Sequence, residues 1–257
     1  EISLNATLIK SEDFKWDFNV NFAKNKSTIK ELGQNGAPIY LAASFISSSA
    51  GQQAVMLKEG GPIGTMHGYI ADGVYKTEDF NADGTAKAGV AVEGVGEKAG
   101  WIRYKDLNND NKITAEDRTD IGKALPDFFG SFASTMTWKN VDLYLGFQYS
   151  YGNDVFNANY IQAARFGGVD YNQMAYYKDR WTTDNPSSTQ YAQMSVGTMS
   201  SVFVEDASCL RFKTARIGYT LNGDWLKKSK IIRNAKVYVA AENLYTFTKY
   251  SGYDPEI

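Results

Sequence analysis

The stretch FKWDFNVNF, residues 14–22, constrains the fold more than any other. Phe14, Trp16, Phe18, Val20 and Phe22 fall on one side of an extended chain, and Lys15, Asp17, Asn19 and Asn21 on the other. Successive side chains of a strand point to opposite faces, so this alternation fits a β-strand with one apolar and one polar face. An amphipathic helix would repeat its apolar positions every three or four residues. Residues 2–8 carry the same pattern more weakly, with Ile2, Leu4, Ala6 and Leu8 opposing Ser3, Asn5 and Thr7. The polar link Lys10-Ser11-Glu12-Asp13 reads as the turn of a hairpin.

Two more strand pairs follow. Residues 131–138 lead through Lys139-Asn140 into 141–151, where Val141, Leu143, Leu145, Phe147, Tyr149 and Tyr151 share a face. Residues 208–220 pair with 236–248. Alternation in 208–220 is muddled, because Arg211, Lys213, Ala215, Ile217 and Tyr219 share a face, and a bulge or a rim is expected there. The connections alternate between short (11–13, 139–140, about 221–235) and long (25–130, 152–207). Unstructured loops of such length are unusual in a compact soluble domain unless they are functional. Residues 81–99 are small and Gly-rich and read as exposed loop.

Two all-β architectures suit these patterns. In an outer-membrane barrel the aromatic faces meet lipid, with short turns at one end and long loops at the other. In a secreted β-sandwich those faces meet a second sheet. Aromatic residues make up 14% of the chain, which fits the interfacial girdles of the first. No apolar run reaches the roughly 18 residues of a helical span, but a membrane strand needs only ~9–11. The 27 basic and 29 acidic residues nearly cancel and are scattered, so nucleic-acid binding has no basic patch to rest on. Cys209 is the sole cysteine, which excludes an intrachain disulfide.

Asp106 to Asp117, DLNNDNKITAED, has the oxygen spacing of a calcium loop. Asp106, Asn108, Asp110, the carbonyl of Lys112 and Asp117 take the ligand positions, and apolar Ile113 follows the carbonyl position. Asn111 stands where Gly is usual, and Asp117 is shorter than the usual Glu. Read as a metal site, the loop would hold Ca2+ or a similar divalent cation. Read as a plain turn, it caps a short helical segment at Thr114–Asp117 and binds nothing. With strands on both sides it is a brace rather than a sensor, since a sensor needs a helix pair to open.

Catalysis finds little support. The single His67 has no nucleophile motif beside it and reads as a loop histidine. Glu205 and Asp206 are adjacent, so their side chains point to opposite faces and cannot flank one bond. The chain is not expected to be an enzyme.

GWIRYKDLNNDNKITAEDRTDIGKALPDFFGSF (100–132) closely resembles a run near the C-terminus of SusC/RagA-type TonB-dependent outer-membrane transporters. Four further blocks agree with that family in order: 59–80 (EGGPIGTMHGYIADGVYKTEDF), Asp179-Arg180-Trp181-Thr182 with Asn185-Pro186, 204–221 (VEDASCLRFKTARIGYTL) and 241–257 (AENLYTFTKYSGYDPEI). Asn111 and Cys209 depart from the family pattern, at positions where Gly and an aromatic residue are common. The likeness runs from about residue 55 to 257.

The resemblance implies that residues 1–257 are part of a C-terminal barrel domain, contributing about six antiparallel strands of a plug-filled barrel of about 22. The N-terminal extension, TonB box, plug and final strand would lie outside this chain, and the long loops would be extracellular. The resemblance also implies a Gram-negative outer membrane, a SusD/RagB-like surface lipoprotein as lid, TonB acting through the missing N-terminal part, and an oligosaccharide or peptide as cargo. Aromatics of 152–207, namely Phe156, Tyr160, Phe166, Tyr171, Tyr176, Tyr177 and Trp181, are candidates to touch ligand or lid. Packing of the loop against itself is the alternative for most of them. The rival to the whole reading is a soluble, secreted, calcium-braced β-sandwich acting as a binding module or adhesin.

Overall fold

The computed structural model describes residues 1–33, 35–42, 53–157, 159–160, 175–192, 199–223, 232 and 234–256. In chain order the strands are β1 (Ile2–Lys10), β2 (Phe14–Ala23), β3 (Ile39–Ala42), β4 (Gln53–Leu57), β5 (Thr65–Tyr69), β6 (Ala71–Val74) and β7 (Ile102–Tyr104). They continue with β8 (Arg118–Lys123), β9 (Phe128–Trp138), β10 (Val141–Tyr151), β11 (Asp154–Phe156), β12 (Val204–Asp206), β13 (Cys209–Leu221) and β14 (Ala235–Thr248). The chain divides into two compact units, one of residues 1–26, 126–153 and 206–257, the other of 27–125 and 154–205.

The first unit is one antiparallel sheet in the order β1-β2-β9-β10-β13-β14. Its register puts the alternation of the whole sheet in phase. Phe18 opposes Ser134, Ser134 opposes Leu145, and Leu145 opposes Ala215, which opposes Ala241. One face therefore carries Leu4, Val20, Phe132, Phe147, Phe212 and Tyr245. The other carries Asn5, Asn19, Ser131, Gln148, Arg211 and Thr246. The expected irregularity in 208–220 is a bulge at Lys213: pairing skips it opposite both Gly146/Phe147 and β14. The extra residue shifts the phase, so Leu210 and Phe212 join the face of Ala215, Ile217 and Tyr219 despite the broken alternation.

The apolar face packs on nothing among the described residues. Val239 is 70% exposed, Val237 63% and Trp138 58%. Among the described residues, Ala207 and Cys209 are the buried hydrophobic residues that this unit contributes. Rings of Phe132, Phe147 and Phe212 stack across neighbouring strands at 4.8 and 4.6 Å. Trp138 and Tyr219 mark the end with short turns; Phe128, Tyr149, Tyr151 and Phe247 mark the other. Ten residues separate Phe128 from Trp138, about 33 Å of strand at ~3.3 Å per residue. At a tilt of about 40° this projects to about 25 Å, the height of a membrane barrel's apolar band.

The second unit corrects the expectation of long irregular loops. Residues 27–125 form a four-stranded sheet, β3-β4-β5-β8, and the pair β6-β7. They share a core with residues from 154–205: Tyr69, Tyr104, Ile113, Tyr177, Trp181, Tyr191, Met199 and Phe203 are buried together. These strands run three to six residues, and β5 is buried along its whole length, so no alternation betrays them. Residues 81–99 are mostly exposed as expected, apart from buried Glu97, whose carboxylate accepts from the N–H of Gly94 and Val95.

Candidate functional site

The calcium-type loop lies in the second unit and closes on its own backbone. Both Asp106 oxygens accept N–H bonds, from Asn109 at 2.6 Å and Asn111 at 2.8 Å. Asn108 accepts from Asp110 N and Asp110 from Lys112 N. Asn109 and Asn111 adopt left-handed backbone, with φ of 60° and 63°, so Asn111 meets the demand that Gly usually meets there. Ile113 is buried in the core, which anchors the loop.

Asp117 behaves differently from the other four positions. It is fully buried, and its oxygens accept from Leu107 N and Thr114 N, each at 2.8 Å. Burial pushes its carboxyl up, but the N–H donors of Thr114, Leu107 and Asn108 outweigh it and hold the group below the ordinary aspartate value. The stability it contributes is present above that ordinary value and is lost as pH falls through the lowered one. All four side chains accept backbone N–H bonds, but those of Asp106, Asn108 and Asp110 lie on the exposed part of the loop, whereas Asp117 makes its own in the buried turn. Among the described residues, no three acidic, His or Cys side chains gather closely enough to hold a metal by themselves.

The candidate aromatics divide. Trp181 is buried, and the Cβ of any residue other than Gly at 100 would meet its ring at 2.5 Å. The Trp181 amide donates to Gln190 O, and Asn185 Nδ2 reaches Asp179 O and Arg180 O, so the Asp179–Pro186 block is a folded turn. Tyr177 is buried beside Tyr191, with centroids 6.2 Å apart, and burial pushes both phenols up. Tyr160 and Phe156 are partly buried against the same core. Of Tyr176 only the backbone is described, in a 3-10 turn (Ala175–Asp179); Phe166 and Tyr171 lie outside the described residues.

His67 is in β5, not in a loop. It is buried 5.4 Å from the Tyr40 ring, with Nδ1 3.9 Å from Asp120, and burial lowers its pKa. Glu205 accepts from Asn157 Nδ2, and Asp206 from Ser208 N, so the two carboxylates serve separate contacts.

The remaining surface of chemical interest is the polar face of the sheet. Asn19 Nδ2 donates to Asn5 Oδ1, Asn21 Nδ2 to Ser131 Oγ, and Ser131 N to Asn21 Oδ1. This neutral patch borders a cavity of about 230 Å³ lined also by Ser3 and Ala133. Towards the short turns, Asp142 pairs with Lys236 at 2.5 Å. Such a polar wall opposite a bare apolar one is the cross-section of a transmembrane barrel.

No protein-family model matches the chain. Over 262 residues the chain is 32% identical to TonB-dependent receptor P3 of Formosa agariphila, covering 100% of the chain and 24% of that protein. It is 24% identical over 270 residues to TonB-dependent receptor SusC of Bacteroides thetaiotaomicron, again over its full length and 24% of the relative. Over its whole length the chain is similar to proteins named TonB-dependent receptor, SusC among them. It spans about a quarter of the length of these curated relatives. Its fold matches a solved structure of the RagAB peptide transporter with a TM-score of 0.76 and 21% identity, over 99% of this chain and 26% of that one. The first unit thus has the six-stranded sheet of a barrel-type fold, and the second has a core of its own.

The sequence patterns missed one feature of this receptor segment. Arg211 is buried on the polar face and pairs with Asp254 and Glu256. The muddled alternation in 208–220 hid it, because the bulge at Lys213 shifts the phase and puts Arg211 on the polar face.

Proposed function

We propose that this chain is barrel wall and surface insert of an outer-membrane importer that takes up a large nutrient, an oligosaccharide or a peptide. TonB supplies the energy through parts of the receptor beyond this segment, and a SusD/RagB-like lipoprotein covers the outer mouth. The chain lies towards the receptor's C-terminus. One observation carries the reading: a six-stranded sheet whose exposed apolar face is about as tall as a bilayer core is thick and whose opposite face is polar. A secreted sandwich would need a second sheet on that apolar face, and the unit has none among its described residues. Both long connections, after β2 and after β10, leave the sheet at the same end, and the reading places that end outside the cell. The relatives named TonB-dependent receptor, and the solved RagAB peptide transporter, support import over any enzymatic role.

Detergent extraction of outer membranes containing the native receptor, followed by mass spectrometry, tests the proposal. The expected result is a chain about four times this length accompanied by a surface lipoprotein. Recovery of a soluble protein of this length, alone, would overturn it.

Calcium enters the proposal as a brace held by Asp106, Asn108, Asp110 and the carbonyl of Lys112, with Asp117 left to the backbone. Chelator should then make the insert of the full-length receptor more sensitive to protease, and added calcium should restore it. Asp117→Ala should cost about 1–3 kcal/mol in either condition, because it strands buried N–H donors. Protease sensitivity indifferent to both chelator and calcium would show a loop that braces itself.

A further inference from the structure

The segment after β14 does not run straight on from the sheet. Thr248 Oγ1 donates to Ser208 O, and Tyr250 N donates to Thr248 Oγ1, which turns the chain at the loop end. The Tyr250 ring packs so close over Gly252 that a Cβ there would meet it at 2.3 Å. Beyond that tight point the chain comes back onto the polar face of β10 and β13. Arg211 Nη2 lies 2.6 Å from Asp254 Oδ1 and 2.7 Å from Glu256 Oε2, and Gln148 Nε2 reaches the other Glu256 oxygen at 3.5 Å. Asp254 Oδ1 also accepts from Glu256 N, which fixes the two carboxylates relative to each other.

Register confirms the face. Arg211 is opposite Gln148 on one side and Thr246 on the other, both in the polar row. Arg211 is 6% exposed, and Cys209, two residues earlier and so on the same side, is 7% exposed. Tyr253, between the turn and the carboxylates, is 96% exposed, whereas Pro255, between the two carboxylates, is buried. One guanidinium with two carboxylates provides the polar fastening of this stretch, on either side of buried Pro255. Charge-assisted bonds of this kind are strong when closed, and water and salt reach this one through its partly exposed carboxylates, Asp254 and Glu256.

We propose that residues 249–256 are a strap latched by Arg211 across the polar face, and that unlatching uncovers the inner wall at the loop end of the sheet. The inference rests on reading the polar face as the wall of the passage, but the latch itself is tested without transport. Cys209 beside Arg211 is the reporter, in full-length receptor with any other cysteines replaced, purified in detergent and labelled with a maleimide. Heat-modifiable migration on gels verifies that each variant has a folded barrel.

Arg211→Met should label at least about tenfold faster than the parent protein, as a closed cover becomes an open one. The pair Asp254→Asn and Glu256→Gln should do the same while leaving β13 untouched, so the test survives if Arg211→Met fails to fold. Raising salt should accelerate labelling in the parent and leave the unlatched variants unchanged, a response that a purely structural arginine would not give. Slow labelling in a folded carboxylate variant, or a parent rate insensitive to salt, would overturn the latch. Import by the receptor could still stand in that case, because no step of this test depends on it.

Discussion

Replacing Leu145 with arginine in the full-length receptor should lower barrel stability by about 2–4 kcal/mol, the cost of a cation at the bilayer midplane on a lipid-facing strand position. Leu145 is near the middle of β10, on the apolar face, between Ser134 and Ala215. Those neighbours are small, so an arginine would fit sterically and its effect reports the solvent on that face. Thr135→Arg on the neighbouring strand, on the polar face opposite Asp17 and Tyr144, should cost far less, because it faces the aqueous side. The measurement is folding into lipid vesicles followed by denaturant titration, scanning arginine from Val141 to Tyr151. An alternating pattern of cost, strongest near the centre and weaker towards Trp138 and Tyr151, is expected. A flat profile, or one in which the even-numbered positions cost more, would return the sheet to the soluble sandwich.

This pattern was legible in the sequence because the membrane strands have one wet face and one dry one. FKWDFNVNF gave residues 14–22, and the strand runs Phe14–Ala23. The insert was not legible for the opposite reason. Thr65–Tyr69 is buried on both sides, so polar Thr65 and His67 sit among apolar neighbours with no period to read. The sequence also could not tell Asp117 from Asp106. Both fit the ligand spacing, but only Asp117 has its oxygens drawn into a buried turn by Leu107 and Thr114. Spacing records which atoms can reach a common point, not which donors reach them first. Arg211 shows the same limit. Arg211 and Lys213 in a row with Ala215, Ile217 and Tyr219 looked like a rim because the bulge at Lys213 shifts the phase, and the partners Asp254 and Glu256 stand more than forty residues away in the chain.

Trp181→Ala should destabilise the insert by about 3–5 kcal/mol, the usual cost of deleting a large buried aromatic side chain. Trp181 is 7% exposed, seated on Gly100, and shares a core with Tyr177, Tyr191 and Ile102. Gly100 has φ of +87°, so Gly100→Ala should act in the same direction through both backbone strain and collision with the indole. Limited proteolysis of the full-length receptor reads the effect directly: cleavage within 27–125 and 154–205 should accelerate, while the barrel keeps its heat-modifiable migration. The result separates two roles for the Asp179–Trp181 block that the sequence left open. If Trp181 were a ligand-stacking residue, its removal would weaken binding of cargo or lipoprotein and leave the protease pattern unchanged. Burial predicts the reverse order of events, with any loss of binding following from loss of the core. A protease pattern identical to that of the parent would therefore move Trp181 from the packing of the insert to its surface chemistry.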